Sequence, residues 1–360
     1  MSNCRIGFYV HHHGRGHTYR IQEIIKHLNG YSYVFGTDLS AFNDLFVPNV
    51  SYHTLPPDTS DTSYVEDWPP TLHYAPLGIR NARKRAYALT KYFTKYELDL
   101  LVVDVSVEVA LLARLCGIPV IYSRQHGYRQ DAAHEAAFRS ASSLLAPYPK
   151  AWEEQKTPYW VQDKTFYAGG FSRLANQALN KEDAQAIAKM PDHLRNVVVM
   201  IGFGGSAQPY ELLEETARKN PQWHWWILGP FSLPPNLPQN LHFLGIQNNP
   251  YPYLKEAEVV IASAGNNTVM ELAAMKARYI CIPEARPFDE QLSKARLLSQ
   301  KNAALVLPNW SEPSVWKDHL LQVNSTDLEA LNSIITPSAA KRAAKHIEKV
   351  ALSQHSPSVL

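Results

Sequence analysis

Ile261-Ala-Ser-Ala-Gly-Asn-Asn-Thr-Val-Met-Glu271 decides how this chain is read. The apolar run ending at Ser263 reads as a strand, Ala264-Gly265 as a turn, and Asn266, Asn267 or Thr268 as the cap of a helix that continues through Leu272, Ala273, Ala274 and Met275. A helix starting there presents unpaired backbone N–H groups and the positive end of its dipole, a ready seat for an anion. Gly265, lacking a Cβ, lets a bulky anion approach the backbone closely. Glu271 follows nearly two turns later, where its carboxylate can accept hydrogen bonds from a diol such as the two hydroxyls of a ribose. A phosphate seat beside a diol acceptor suggests a nucleotide-diphosphate ligand.

The same strand–turn–helix alternation extends in both directions. Arg5–Val10 reads as a buried strand and Thr18–Leu28 as a helix with Ile21, Ile24, Ile25 and Leu28 on one face. Tyr31–Phe35, Val50–Leu55, Leu98–Val103 and Val120–Ser123 read as further strands, with helices over Ile79–Tyr96 and Val107–Leu115. After Ala168-Gly-Gly170 the pattern restarts, with strands over Asn196–Ile201, Trp223–Leu228, Leu241–Leu244, Arg278–Ile282 and Ala304–Leu307. The fold class expected is α/β: two Rossmann-like, doubly wound parallel sheets facing across a cleft. The boundaries expected are an amino-terminal domain over 1–170, a linker over 171–195, a carboxyl-terminal domain over 196–338, and a final helical segment over 339–360 that can pack back on the first domain. Pro56 to Pro76 is a long irregular stretch, and such loops are often functional.

Composition narrows the function classes. A length of 360 residues is comfortable for two domains, and 35 basic against 33 acidic side chains argues against a general nucleic-acid binder. Three cysteines without metal-type spacing, Cys4, Cys116 and Cys281, read as reduced thiols in a cytoplasmic protein. The apolar run from Ile6 to Val10 is too short for a signal-peptide core, and no segment approaches the ~18 apolar residues of a membrane span. The location expected is cytoplasmic, with the basic helix faces (Arg80, Arg83, Lys84, Lys91 and Lys95 in one of them) leaving room for peripheral contact with a membrane.

Four further clusters fall at strand–helix junctions. His11-His-His-Gly-Arg-Gly-His17 follows the first strand, where open α/β sheets bind ligands. Gly14 and Gly16 permit a tight turn, and His17 stands where a helix begins, so its imidazole can face the cleft as a general base. Tyr19 breaks a Gly-x-Gly-x-x-Gly pattern, which counts against a nicotinamide cofactor. Adjacent histidines on a strand point apart with no carboxylate fixed beside them, which counts against a metal. Gly202-Phe-Gly-Gly-Ser206 opens the second sheet at the equivalent place and can line a phosphate. Pro283-Glu-Ala-Arg-Pro-Phe-Asp-Glu-Gln291 puts Asp289, Glu290 and Gln291 at a sheet edge, suited to sugar hydroxyls or simply to an acidic helix start. Ser123-Arg-Gln-His-Gly127 faces the cleft from the first half, with Gln125 on the acceptor side and His126 as a second acid or base or an acceptor contact, or the whole as an ordinary polar loop cluster. Trp223, Trp225 and Trp226 read as core packing.

Together these residues resemble the GT-B glycosyltransferases, and among them family 28, which includes the enzyme that adds N-acetylglucosamine to the undecaprenyl lipid of peptidoglycan synthesis. Gly14-Arg-Gly-His17 looks like that family's amino-terminal glycine loop, Gly204-Gly-Ser206 like its glycine-serine turn, Ser263 through Glu271 like its nucleotide segment, and Glu290-Gln291 like its pair of glutamines. The resemblance implies a nucleotide-sugar co-substrate, most often a UDP-sugar, and no other cofactor. It implies that Ile246 meets the base, Glu271 takes the ribose hydroxyls, Gly204, Gly205, Ser206, Gly265, Asn266 and Asn267 line the diphosphate, and Ser263 belongs to the donor-binding set. Glu290 and Gln291 would meet the donor sugar, while Gly14, Gly16, Gln125 and His126 lie on the acceptor side. His17 would activate the acceptor hydroxyl.

The reaction expected is inverting and metal-independent. Asp104 is the nearest carboxylate for a metal and stands alone, with no Asp-x-Asp pair. The acceptor is open: a glycan, a lipid-linked or a small-molecule hydroxyl. Rival readings are a sugar-nucleotide epimerase or hydrolase on the same fold, a non-catalytic nucleotide-sugar-binding protein, and a dinucleotide oxidoreductase.

Overall fold

A computed structural model of the chain describes residues 4–11, 15–42, 47–57, 77–175, 177, 180–191, 193–202, 210–230 and 237–353. Within them, continuous apolar runs such as Leu100–Val103 and Val259–Ala262 are buried along their whole length, the mark of parallel strands covered on both faces. The first sheet contains β1 (Arg5–Tyr9), β2 (Tyr31–Gly36), β3 (Val50–Thr54), β4 (Leu100–Asp104), β5 (Val120–Ser123), β6 (Ser143–Ala146) and β7 (Thr165–Tyr167), in the order β3-β2-β1-β4-β5-β6-β7. The second contains β8 (Arg195–Met200), β9 (Trp223–Leu228), β10 (Leu241–Gly245), β11 (Val259–Ala262), β12 (Tyr279–Cys281) and β13 (Leu305–Val306), in the order β10-β9-β8-β11-β12-β13. All pairings between these strands are parallel. In each sheet the winding reverses between the first strand and the fourth, β1 beside β4 and β8 beside β11. A crevice opens at the carboxyl ends of the strands at such a reversal.

The covering helices are α1 (Arg15–Ile25), α2 (Arg80–Tyr96), α3 (Val107–Leu115), α4 (Ala132–Ser140), α5 (Tyr159–Lys164), α6 (Lys181–Ala188) and α7 (Tyr210–Lys219). They continue with α8 (Tyr251–Glu256), α9 (Asn266–Met275), α10 (Glu290–Gln300), α11 (Trp316–Gln322), α12 (Leu328–Asn332) and α13 (Ala339–Ser353). Helix α1 starts three residues before the Thr18 expected from the sequence and ends at Ile25. Ile21, Ile24 and Ile25 are buried as one stripe, and His27 and Leu28 close the helix with short-range backbone bonds. His17 therefore lies inside the first turn rather than at its threshold. The stretch read as a linker holds α6, whose Ala184 is buried; Ala188 and Met190 join the core beneath the second sheet.

Two chain crossings join the halves side by side. Gly170 N–H donates to the Ile334 carbonyl and Thr336 N–H to the Gly170 carbonyl, each at 2.9 Å. Beyond them α13 returns to the first domain, where Ala343, Ala344, Ile347 and Ala351 are buried in one cluster with Ile6, Phe8, Leu100 and Val102. Burying Ile347 alone is worth about 1.5–3 kcal/mol. Trp223 and Trp225 are fully buried, and Trp225 packs edge-on against Trp316 in the second domain's outer core.

Candidate active site

At the reversal in the first sheet, β1 delivers α1 and β4 ends at Asp104. Because β1 and β4 are neighbours, the first turn of α1 stands over the end of β4. His17 Nδ1 is 2.6 Å from Asp104 Oδ2, and Arg20 Nη1 donates to Asp104 Oδ1 at 3.3 Å. Asp104 is wholly buried. Burial alone would raise its pKa, but Arg20 and then His17 outweigh it and hold the carboxyl at about 2. An ionised carboxylate only accepts, so His17 Nδ1 is the donor of this contact, and in the neutral tautomer it fixes, Nε2 is the acceptor. Val105, directly after Asp104, has φ of 58°, an outlier for a β-branched residue, which marks this strand end as strained. The sequence reading treated Asp104 only as a candidate metal ligand standing alone; the contact with His17 replaces that reading.

The loop after β5 ties this pair to the second domain. With its amide oxygen toward Arg20, Gln125 accepts from Arg20 Nη2 at 3.2 Å and donates to Glu290 Oε2 at 2.6 Å. Arg129 Nη2 donates to the same Glu290 oxygen at 3.1 Å. Nearby, Tyr128 N–H donates to the Phe288 carbonyl at 2.7 Å, and Gly127 is held at φ of 109°. A Cβ on Gly127 would lie 2.6 Å from that carbonyl, so only glycine fits. Phe288 and Asp289 on the facing loop both adopt positive φ. His126 is fully buried, donates from Nε2 to the Trp152 carbonyl at 2.8 Å and lies tilted against the Tyr148 ring. Burial, then Lys294 nearby, push its pKa well down, so it is a neutral packing group rather than a second acid or base facing the cleft. An open cavity of about 460 Å³ adjoins this bridge, lined by Tyr128, Gln130, Gln155, Trp160, Arg296 and Gln300 among others.

On the second domain α9 starts one residue earlier than its expected caps allow: Gly265 is the cap residue, Asn266, Asn267 and Thr268 lie inside the first turn, and no side chain caps the helix. Gly265 has φ of −58°, open to any residue, and a Cβ there would meet nothing closer than Thr268 Oγ1 at 3.5 Å. The protein itself leaves that space free. Asn267 Nδ2 donates to the Gly16 carbonyl at 3.2 Å, which sets the start of α9 against the start of α1. Asn266 accepts a hydrogen bond from Lys294 Nζ. Ser263 accepts from the Tyr279 hydroxyl at 2.7 Å through its carbonyl. Ile246, just past β10, is half exposed at the sheet edge. Glu271 is buried and accepts from Arg173 Nε at 2.9 Å. Arg173 also donates to the Asn248 carbonyl at 2.9 Å and lies over the Tyr19 ring. Burial raises the Glu271 carboxyl, with Arg173 opposing. Gln291 Oε1 accepts from the N–H groups of Ala264 and Glu284, at 3.1 and 2.9 Å, so its side chain clips two sheet-edge loops together.

His12, His13, Gly14, Gly204, Gly205 and Ser206 lie outside the described residues. Among the described residues no group of three metal-ligating side chains is gathered, and no helix is long and apolar enough to cross a membrane. Sequence reading missed Arg20, Arg173 and Lys294 entirely. Arg20 sits one turn beyond His17 on the same face of α1, a spacing that was there to be used. Lys294 is three and four residues before Leu297 and Leu298, on the apolar stripe of its helix, a spacing that was also there to be used; Arg173 carries no local signal.

Residues 170–350 match the model of the glycosyltransferase family 28 C-terminal domain. A protein of Methanosarcina acetivorans named as an uncharacterized glycosyltransferase is 30% identical over 188 residues, which is 49% of this chain and 46% of that protein. The UDP-N-acetylglucosamine–N-acetylmuramyl-(pentapeptide) pyrophosphoryl-undecaprenol N-acetylglucosamine transferase of Streptococcus agalactiae is 23% identical over 210 residues, 57% of this chain and 56% of that enzyme. The chain spans about half the length of the curated relatives it matches. Among solved structures, the glycosyltransferase of kitacinnamycin superposes with a TM-score of 0.71 at 15% identity, over 96% of this chain and 98% of that one. The two-sheet arrangement is thus the GT-B fold that the resemblance implied. With half its length matched by the family model, the chain belongs to glycosyltransferase family 28.

Proposed function

We propose that the protein transfers a sugar from a nucleotide-diphosphate donor, a UDP-sugar in the first instance, to a hydroxyl acceptor with inversion and without a metal. The observation that carries the reading is the 2.6 Å contact of His17 with a fully buried, ionised Asp104, at the crevice edge facing the start of α9. In the neutral imidazole that contact fixes the tautomer whose Nε2 can accept a proton. The acceptor oxygen attacks the anomeric carbon and its proton passes to Nε2. The bond from that carbon to the phosphate oxygen breaks, and its electron pair leaves with the diphosphate. The N–H groups and dipole at the start of α9 meet the growing charge. Asp104 orients the imidazole and offsets its charge once protonated. Family membership and the UDP-sugar named for the Streptococcus agalactiae relative support the choice of donor.

In this reading Glu271 takes the ribose hydroxyls, which requires Arg173 to shift or to share it. The space at Gly265 receives the diphosphate together with Gly204, Gly205 and Ser206, Ile246 borders the base, and Glu290 meets the donor sugar. The cavity beside Gln125, with its amide and aromatic side chains, suits a glycan-bearing acceptor. The exposed basic face of α2, with Arg80, Arg83, Lys84 and Lys91, suits an anionic membrane surface if the acceptor is lipid-linked. The test is release of UDP from UDP-N-acetylglucosamine or UDP-glucose with a panel of alcohols and glycans, in EDTA. Release that depends on an added acceptor, survives the chelator and disappears in His17→Ala supports the reading. Release with water alone, or an unchanged rate in His17→Ala, contradicts it.

A further inference from the structure

We propose that Lys294 is the counter-charge for an anionic group of the donor, bound where α10 meets the start of α9. The inference rests on the cleft being a nucleotide-sugar site. Each of the other buried cations there touches a carboxylate: Arg20 with Asp104, Arg124 with Glu153, Arg129 with Glu290, and Arg173 with Glu271. Lys294 is 1% exposed and bonds to Asn266 Oδ1, a neutral amide; among the described residues no carboxylate makes an ion pair with it. Glu290 faces it from its own helix, Glu154 from beyond β6, Arg20 from α1, and Arg129 and His126 from the loop after β5. An ammonium held in the interior without a paired anion costs several kcal/mol. Burial accordingly lowers its pKa to about 8, which still leaves it charged at pH 7.

Two neighbouring groups are short of partners in the same region. Asn266, which anchors the ammonium, is the first residue of α9, whose cap residue has no side chain to satisfy the helix start. Near Lys294, His126 Nδ1 is buried with no hydrogen-bond partner among the described residues. An anion seated against α9 would pair the lone cation and fill the uncapped helix start together. Two groups of a nucleotide sugar have that chemistry: the diphosphate, and a carboxylate on the transferred sugar.

The test compares Lys294→Met with the unaltered protein for binding of UDP, UDP-glucose and UDP-glucuronate by calorimetry at pH 7. If the diphosphate is the partner, all three ligands bind at least about tenfold more weakly to the variant. If the partner is the sugar carboxylate, only UDP-glucuronate does. Binding of all three within about twofold of the unaltered protein overturns the proposal while leaving the donor site intact. Failure of the unaltered protein to bind any of them overturns the donor reading itself, and the proposal with it. Should Lys294→Met not fold, the unaltered protein is titrated from pH 7 to pH 9. A progressive loss of affinity for the ligand that binds best, as the ammonium gives up its proton, supports the proposal, and a flat profile overturns it.

Discussion

Asp104 Oδ2 lies 2.6 Å from His17 Nδ1, although the two residues are 87 positions apart in the chain. The contact exists because β1 and β4 are paired neighbours, Tyr9 opposite Val103, so that the residues leaving their carboxyl ends share one corner. For the proposed transfer, His17→Ala should lower kcat by about 100- to 10,000-fold with donor affinity unchanged. Asp104→Asn should also lower kcat, through loss of orientation and charge. Rates paired with calorimetric UDP binding check both; a parallel loss of binding would mean the pair is structural.

Asp104 also makes a prediction about stability. Its carboxyl is held at about 2 in the folded protein, below the ordinary value of 3.8. The stabilisation it gives is therefore complete above about pH 4 and is lost as pH falls through about 2. Asp104→Asn leaves the Arg20 guanidinium buried without its anion, and should cost about 3 kcal/mol at pH 7. Urea unfolding at pH 7 and at pH 3 measures it: the gap between variant and parent should narrow at the lower pH.

Much of this was legible beforehand, and the boundary of what was not has a physical form. The alternation of apolar runs with amphipathic helices foretold two doubly wound sheets, and the junctions after β1 and β11 pointed to His17 and Gly265, because a strand–turn–helix junction is a local pattern. Pairings between distant segments were not local. Asp104 belongs beside His17 only once β4 is known to pair with β1. Arg173 reaches Glu271 from the stretch read as a plain linker. Lys294 stands three and four residues before Leu297 and Leu298 on the buried stripe of α10, a spacing that marks it as buried but does not say what it pairs with. His126 looked like a cleft residue because it follows a strand end, but the chain folds Trp152 and Tyr148 over it.

Glu271 and Arg173 make a separable prediction about the donor. If Glu271 takes the ribose hydroxyls, Glu271→Ala should weaken UDP binding by about tenfold or more. A 2′-deoxy analogue should lose affinity against the unaltered protein and lose little more against the variant, the coupling expected of groups in contact. Equal losses of the analogue with both proteins would place the ribose elsewhere.

The fit of the loop after β5 into the loop before α10 is testable without any ligand. Gly127→Ala puts a Cβ 2.6 Å from the Phe288 carbonyl at a φ of 109°. The two domains should part or the loops rebuild, at a cost of about 2 kcal/mol or more. A lowered melting temperature is expected, and an unchanged one would mean that the two loops do not meet in solution.

His346 adds a pH dependence at the other end of the fold. It stacks on Phe166 and pairs with Ser143, and burial, with Lys349 nearby, lowers its pKa to about 4. The unfolded chain then binds more protons than the folded one between about pH 6.5 and pH 4, so stability falls as pH drops through that window. His346→Gln should flatten this part of the melting-temperature profile, whereas a slope equal to the parent's would show that the imidazole takes no part.

The central claim is that the start of α9 holds a donor's diphosphate opposite the His17 imidazole. The most direct measurement is a crystal structure with a UDP-sugar bound. The account requires phosphate oxygens within hydrogen-bond distance of the backbone N–H groups of Asn266 to Thr268, and an anomeric carbon facing His17 Nε2 across the crevice. A nucleotide seated away from the α9 start, or a sugar turned from His17, would contradict it.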